Sequence, residues 1–114
     1  MALIFKILTK VQWGEALATG IFAGSPVDRT DGYIHFSSAE TVRETAQRHF
    51  ARQPDLVLVA FDDARLGTAL KWEPSRGGAL FPHLYGPLDP SLAQWTRELP
   101  LDATGQHLFP PEIP

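Results

Sequence analysis

The segment DLVLVAF, residues 55–61, says more about the fold than any other stretch of the sequence. Six of its seven residues are apolar, and polar and apolar positions do not alternate along it. A short, continuous apolar run of this kind is typical of a strand that is buried on both faces. We therefore predict a central strand over residues 55–61.

The chain before this strand predicts a strand followed by a helix. LIFKIL (3–8) is rich in strand-forming residues. Thr9 is a suitable N-cap for a helix over residues 10–19, and Gly20 is placed to end it. The following segment, 21–32, is rich in turn residues and predicts a loop.

A second helix is predicted after the short strand YIHFS (33–37). Ser37 or Ser38 is expected to cap it, because Ser37 and Glu40 have the spacing of a capping box. The helix is expected to run to about Phe50.

The remainder of the chain predicts short strands joined by turns. A turn and a strand that ends near Glu73 follow residue 61, and eight of the ten prolines lie beyond Glu73. Residues 92–99 are a further candidate strand. Strict strand–helix alternation is missing after residue 55, which favours an α+β class over a doubly wound sheet. We expect two main helices on a small, split, mixed sheet.

Length and composition restrict the class of protein. The 114 residues are expected to form one domain, 1–114. The net charge of -3 makes general nucleic-acid binding unlikely, since that affinity depends on neutralising phosphates. The absence of cysteine excludes disulfides and thiolate chemistry and fits a cytoplasmic protein. Lys6 interrupts the apolar run near the N-terminus, so we expect no signal peptide and no membrane span.

The segment DGYIHFSS (31–38) contains the first candidate site. On a strand, Tyr33 and His35 point to the same side. The serines that follow would open a helix, whose N-terminal N–H groups favour an anion. His35 is therefore a candidate contact to a phosphate or a ribose, and Ser37 a candidate ligand-binding residue. The alternative is that the serines only cap the helix and that His35 is a half-buried structural residue.

The segment WEPSRGGALFPHLYG (72–86) contains the second candidate site. Glu73 ends an apolar strand, and Arg76 lies in a glycine-flanked turn where it can bind a carboxylate or phosphate. His83 and Tyr85 share one face of a strand; the first suits acid–base chemistry and the second suits stacking on a ring. The alternative is a structural loop in which Glu73 and Arg76 form a weak surface salt bridge.

A metal site has little support. His35 and His83 with Glu73 or Asp31 would be an acceptable ligand set, but their spacing matches no metal-binding motif. We therefore predict no metal. The sequence also contains no phosphate-binding loop and no dinucleotide-binding glycine motif.

Three segments together carry a resemblance to a known family: DGYIHFSSAETVRETAQRHF, DLVLVAFD and LKWEPSRGGALFPHLYGPL. They resemble the small bacterial and plant proteins grouped as domain of unknown function 952. The resemblance implies a fold similar to the ADP-ribosylation fold of ADP-ribosyltransferases and RNA 2′-phosphotransferases. It places Lys6 where many relatives of this type carry histidine, aligns His35 with a phosphotransferase segment and makes NAD a possible cofactor. It also implies that Glu73 is a counterpart of the transferase glutamate, although the pattern around that glutamate is absent.

Three functions remain open at this point. In an ADP-ribosyl or phosphoryl transferase, His35, Glu73 and His83 would act on a nucleotide-like ligand that is bound by Lys6, Ser37, Arg76 and Tyr85. In a non-catalytic module, the same cleft would bind a small anionic or nucleotide-like metabolite without turnover. In an interaction domain, it would bind a peptide or a protein. The first two require that these seven residues converge in space.

Overall fold

The computed structural model describes residues 2–113, apart from the side chain of Arg76. In chain order the strands and helices are β1 (Leu3–Thr9), α1 (Lys10–Thr19), α2 (Pro26–Asp31), β2 (Ile34–His35), α3 (Val42–His49), β3 (Leu56–Asp62), β4 (Leu70–Pro74), β5 (Leu80–Leu84) and β6 (Trp95–Glu98). Short 3-10 helices occupy Asp63–Ala69, Arg76–Gly78 and Pro90–Leu92.

The strands form two three-stranded sheets. Sheet 1 has the order β1-β3-β6, and sheet 2 has the order β2-β5-β4. The central position of β3 confirms the prediction made from its apolar run. The pairings in both sheets are antiparallel, so the expected mixed sheet is wrong. Long connections do join β1 to β3, β3 to β6 and β2 to β5, but the two strands of each pair run in opposite directions.

In the part of the chain that the structure describes, one backbone bridge connects the two sheets. Phe5 of β1 and Ser37, just after β2, exchange two N–H···O hydrogen bonds of 2.8 Å each. Beyond this bridge the sheets separate, which confirms the α+β class and the split arrangement. The likeness to the ADP-ribosylation fold stays a prediction.

Sheet 1 has a hydrophobic core on each face. Every residue of β3 is buried. On β1, Ile4 and Leu8 pack into the first core with α1 and sheet 2, whereas Phe5 and Ile7 pack into the second core with α3. Strand β1 therefore belongs to both cores.

Helix α1 forms as predicted, and its neighbour α2 was missed. Thr9 caps α1 through a capping box, and Gly20 ends it in the left-handed conformation. Residues 21–32 were expected to be a loop, but α2 occupies Pro26–Asp31. A helix of six residues is too short to show an amphipathic period, although its proline at the first turn and its preceding serine are ordinary start signals.

Helix α3 begins later than predicted. Its N-cap is Thr41, so the expected capping box between Ser37 and Glu40 is wrong. Ser37 instead pairs with β1 through its backbone, and its hydroxyl donates a 2.9 Å hydrogen bond to Thr45 Oγ1. Pairing in the sheet thus outweighs the local capping preference of this serine. Among the described residues, no helix is long and apolar enough to cross a membrane.

Candidate ligand-binding cleft

A cavity of about 740 Å³ opens where the two sheets separate, and we call it the cleft. It runs along the free edge of β1 and is closed by residues of α2, α3 and β5. Among the residues singled out from sequence, its walls include Lys6, His35, Ser37 and His83. Glu73 and Tyr85 stand behind His83 and reach the cleft through it.

Lys6 forms a buried ion pair with Asp28 of α2. Its Nζ lies 3.1 Å from Asp28 Oδ2 and 3.3 Å from Oδ1, and both side chains are almost fully buried. Burial lowers the pKa of Lys6, and the attraction of Asp28 offsets part of this shift. Lys6 was predicted to bind an anionic ligand, but its charge already has a partner within the protein.

Besides Lys6, three other groups contact the Asp28 carboxylate. It accepts hydrogen bonds from the backbone N–H of Ser25 at 2.9 Å and of His35 at 3.1 Å, and it contacts His35 Nδ1 at 2.6 Å. Burial would raise the pKa of Asp28, but the His35 hydrogen bond, the Lys6 charge and the backbone N–H groups outweigh it. The pKa therefore lies well below the usual aspartate range, and Asp28 is ionised at neutral pH.

His35 is held between two carboxylates. While Nδ1 contacts Asp28, Nε2 lies 2.9 Å from Asp31 Oδ2. With both nitrogens engaged, the ring has no free nitrogen for a ligand unless Asp31 moves. The side chain of His35 remains 32% exposed, so one face of its ring still borders the cleft.

His83 is held on one side only. Its Nδ1 lies 2.8 Å from Glu73 Oε1, and the same oxygen accepts a 2.7 Å hydrogen bond from the Tyr85 hydroxyl. The hydrogen bond from Tyr85 and then that from His83 lower the pKa of Glu73, whereas Glu73 raises the pKa of Tyr85. His83 is 3% exposed, and its Nε2 has no hydrogen-bond partner in the described part of the protein.

Tyr33 joins the two histidines in one aromatic cluster. Its ring stacks on His83 at 4.1 Å between centroids and contacts His35 at 4.6 Å and Tyr85 at 5.2 Å. Burial, followed by the nearby charges of Asp31 and Glu73, raises the pKa of Tyr33. The stack fixes the plane of the His83 ring.

The structure brings six of the seven predicted residues into one network or onto one wall. His35, His83, Glu73 and Tyr85 are linked by hydrogen bonds and ring contacts, and Lys6 joins them through Asp28. Ser37 borders the cleft, but its hydroxyl and backbone serve the fold, so it opens no anion-binding helix terminus. The Arg76 side chain lies outside the described residues.

Sequence reasoning missed the central role of Asp28 and gave Tyr33 and Asp31 only minor parts. A signal for Asp28 was present, because Ser25 and Asp28 have capping-box spacing, and the Asp28 carboxylate accepts from the Ser25 N–H. Nothing local could indicate that the same carboxylate reaches Lys6, 22 residues away.

The charge of the cleft favours neutral or cationic groups. Among the side chains that the structure describes, its charged lining and the groups just behind it comprise one lysine against three carboxylates, those of Asp28, Asp31 and Glu73. Among the described residues, no group of three or more histidine, aspartate or glutamate side chains is arranged to hold a metal ion.

The fold and the cleft define a small α+β protein with a histidine–carboxylate site between two antiparallel sheets. The chain belongs to the family described as protein of unknown function (DUF952), which it matches over residues 7–96. This confirms the resemblance that the sequence motifs indicated.

Solved structures show the same fold. An X-ray structure of protein CC0527 from Caulobacter crescentus is 50% identical and covers 93% of each chain, with a TM-score of 0.90. A solution NMR structure of CC0527 is 51% identical, covers 93% of this chain and 91% of that one, and has a TM-score of 0.83. A search of curated proteins found no match.

Proposed function

We propose that the cleft binds a small, nucleotide-like ligand and that His83, oriented by Glu73, transfers a proton to or from it. The observation that carries this proposal is the one-sided position of His83. One ring nitrogen is held by a carboxylate, while the other has no partner in the described part of the protein and belongs to a residue that lines the cleft.

The Glu73–His83 pair has the arrangement of a general acid–base. A carboxylate that accepts from Nδ1–H selects one imidazole tautomer and stabilises the protonated ring. Nε2 is then the atom that accepts or returns a proton. Tyr33 fixes the ring by stacking, and Tyr85 fixes the carboxylate by its hydrogen bond. Such preorganisation is what proton transfer at a defined atom requires.

His35 suits a different role from the acid–base role predicted for it. Because Asp28 and Asp31 occupy both of its nitrogens, His35 is better suited to forming part of the cleft wall and to fixing the positions of these two carboxylates. The proposed acid–base group is therefore His83.

The volume and the aromatic lining of the cleft support a ligand with a planar base, as in a nucleotide. Its volume is in the range of ordinary small-molecule sites. Tyr33 and Phe81 are among the residues that line it, and aromatic rings are suited to packing against a planar group. Glu73 and Asp31 can stabilise positive charge that develops at a sugar carbon, which favours glycosyl-type transfer, including ADP-ribosyl transfer, over phosphate binding. NAD is included among the test ligands because the family resemblance implies it.

A thermal-shift panel followed by an NMR assay of turnover tests the proposal. The panel contains NAD, ADP-ribose, nucleoside phosphates and inorganic phosphate. A true ligand at about 100 times its Kd adds roughly 2.7 kcal/mol of stability, which shifts the Tm by on the order of 10 °C. Any ligand found is then incubated with the protein, and its conversion is followed by NMR.

His83→Gln is the informative variant and His107→Gln its matched control. His107 lies outside the cleft, with its Nε2 3.0 Å from the Gln53 carbonyl oxygen. We expect His83→Gln to retain most binding and to lose turnover by roughly 10²- to 10⁴-fold, whereas His107→Gln turns over normally. Binding without turnover in the wild type would identify a binding module, and absence of binding would refute the proposal.

A further inference from the structure

The free edge of β1 presents one backbone N–H and one backbone C=O to the cleft. Phe5 directs both its backbone groups to Ser37, away from β3. Backbone groups of successive residues alternate between the two edges of a strand. Lys6 and Leu8 therefore pair with β3, and the 2.8 Å hydrogen bond from Lys10 N to Asp55 O continues this alternation. The N–H and C=O of Ile7 must therefore point away from β3 and toward the cleft.

These two groups of Ile7 have no hydrogen-bond partner within the described part of the chain. Ile7 is only 6% exposed and lies on the cleft wall. Buried backbone groups are nearly always paired, and leaving one unpaired costs free energy. The next N–H along this edge, that of Thr9, is already satisfied by Gln12 Oε1 at 3.0 Å. On the part of this edge that borders the cleft, the described residues thus leave the N–H and C=O of Ile7 unpaired.

The unpaired groups of Ile7 mark the place where the pairing between β1 and the β2 segment stops. Since Phe5 faces Ser37 in an antiparallel bridge, Ile7 would face His35 if the ladder continued. Instead, the His35 N–H donates to Asp28 Oδ1 at 3.1 Å. Asp28 supplies the acceptor that β1 would have supplied, so α2 holds the two strands apart at this point.

We infer that Ile7 binds, through its backbone, a planar amide edge of the ligand, in which an N–H stands beside a C=O. Lactams such as those of uracil and hypoxanthine bases have this edge, and so do carboxamides. Such a group donates to the Ile7 C=O and accepts from its N–H at the same time. An extended peptide fits less well, because strand addition needs groups on alternate residues and Gln12 occupies that of Thr9.

The inference deepens the proposed function and rests on it, since it names the part of the ligand that the cleft recognises. The planar edge at Ile7 would lie in the cavity that His83 also lines. Ile7 would then determine specificity, while His83 would act on the reacting atoms.

A titration of ¹⁵N-labelled protein with matched ligands tests the inference. The probes are uridine and inosine, each paired with its methylated form, 3-methyluridine and 1-methylinosine, in which a methyl group replaces the amide hydrogen. We expect the Ile7 amide signal to shift with uridine or inosine. Methylation should weaken binding by roughly tenfold or more, because it leaves a buried acceptor unpaired.

Ile7→Pro and Ile7→Ala provide a matched pair of variants. Both remove the isoleucine side chain, but only proline removes the N–H, and that N–H makes no ladder bond to β3. We expect Ile7→Ala to bind the unmethylated probe at least about tenfold more tightly than Ile7→Pro. If Ile7→Pro fails to fold, the comparison of methylated with unmethylated nucleosides on the wild-type protein tests the inference by itself.

Any one of three results would overturn the inference. Equal binding of methylated and unmethylated probes, or a titration in which His83 ring signals move and the Ile7 amide does not, would refute it and leave the proposed function intact. Absence of any shift of the Ile7 amide with uridine and inosine would also refute it. The nucleotide panel and His83→Gln judge the proposed function separately.

Discussion

At the scale of single residues, Asp28 is the residue on which the site depends most. One carboxylate neutralises Lys6, positions His35 and accepts the N–H of Ser25. Burying a charge is costly unless it is paired and hydrogen-bonded, and Asp28 meets both conditions. Removing its charge would leave Lys6 buried without a counter-ion.

Asp28→Asn is expected to destabilise the protein by about 3–5 kcal/mol, the usual cost of breaking a buried ion pair by removing one partner. Urea unfolding measures the loss. The control is the double variant Lys6→Met with Asp28→Asn, which removes both charges and should regain part of the stability. If the single and double variants are equally unstable, the ion pair is not the source of the effect.

Asp28 should also determine how stability depends on acid. Its pKa is lower in the folded chain than the ordinary value of 3.8, so the folded state binds its proton less readily. The stability contributed by this carboxylate is complete above the ordinary pKa and is lost as the pH falls below it. The free energy of unfolding of Asp28→Asn should therefore fall less steeply below about pH 4 than that of the wild type. Equal slopes would contradict this.

At the scale of elements, helix α2 positions the acidic side of the cleft. It carries Asp28 and Asp31, and the segment before it turns at Gly24, whose φ is +113°. A Cβ added at Gly24 would lie 2.9 Å from the Cβ of Asp28, so only glycine fits without displacing α2.

Gly24→Ala is expected to destabilise the protein by at least about 1–3 kcal/mol, because it combines backbone strain with a close contact. Gly14→Ala is the control, since Gly14 lies in α1 with no neighbouring atom within 4 Å of its added Cβ. That change should stabilise by roughly 0.5–1 kcal/mol. Denaturant unfolding compares the two, and a Gly24→Ala protein of full stability would refute the argument.

The elements also show why sequence reasoning succeeded or failed. Strand β3 and helix α1 were predictable because their sequence signals are local and no tertiary contact overrides them. These signals are the apolar run of β3 and, for α1, the N-cap Thr9 with the terminating Gly20. The start of α3 was not, because Ser37 has a capping pattern but is taken by a strand 32 residues earlier in the chain. For the same reason His83 could be singled out by its residue type, and its chemistry stays a prediction, whereas the link between Lys6 and Asp28 could not be predicted.

At the scale of the whole molecule, the two cores are joined through β1 and β3. Trp13 is buried in the first core, and Trp95 packs against the second. Because each of these strands contributes side chains to both cores, neither core can lose its packing alone. The prediction of one domain therefore becomes a prediction of one cooperative unfolding transition.

Two single-tryptophan variants test this prediction. Trp72→Phe with Trp95→Phe leaves Trp13 as the fluorescent probe, and Trp72→Phe with Trp13→Phe leaves Trp95. In each variant, the fluorescence midpoint should coincide with the midpoint from far-UV circular dichroism. A fluorescence transition that precedes the loss of secondary structure in one variant would show that the two cores unfold separately.

Two alternating patterns along β1, one of side chains and one of backbone groups, restrict which insertions and deletions the gene can tolerate. Side chains of this strand alternate between two cores, and its backbone groups alternate between β3 on one edge and Ser37 or the cleft on the other. Inserting or deleting one codon within it would exchange both sets at once, moving Lys6 away from Asp28 and Ile7 away from the cleft. The exposed turn between β4 and β5 carries no such constraint and should accept length changes. Natural variation in length should therefore be found in that turn and be absent from β1.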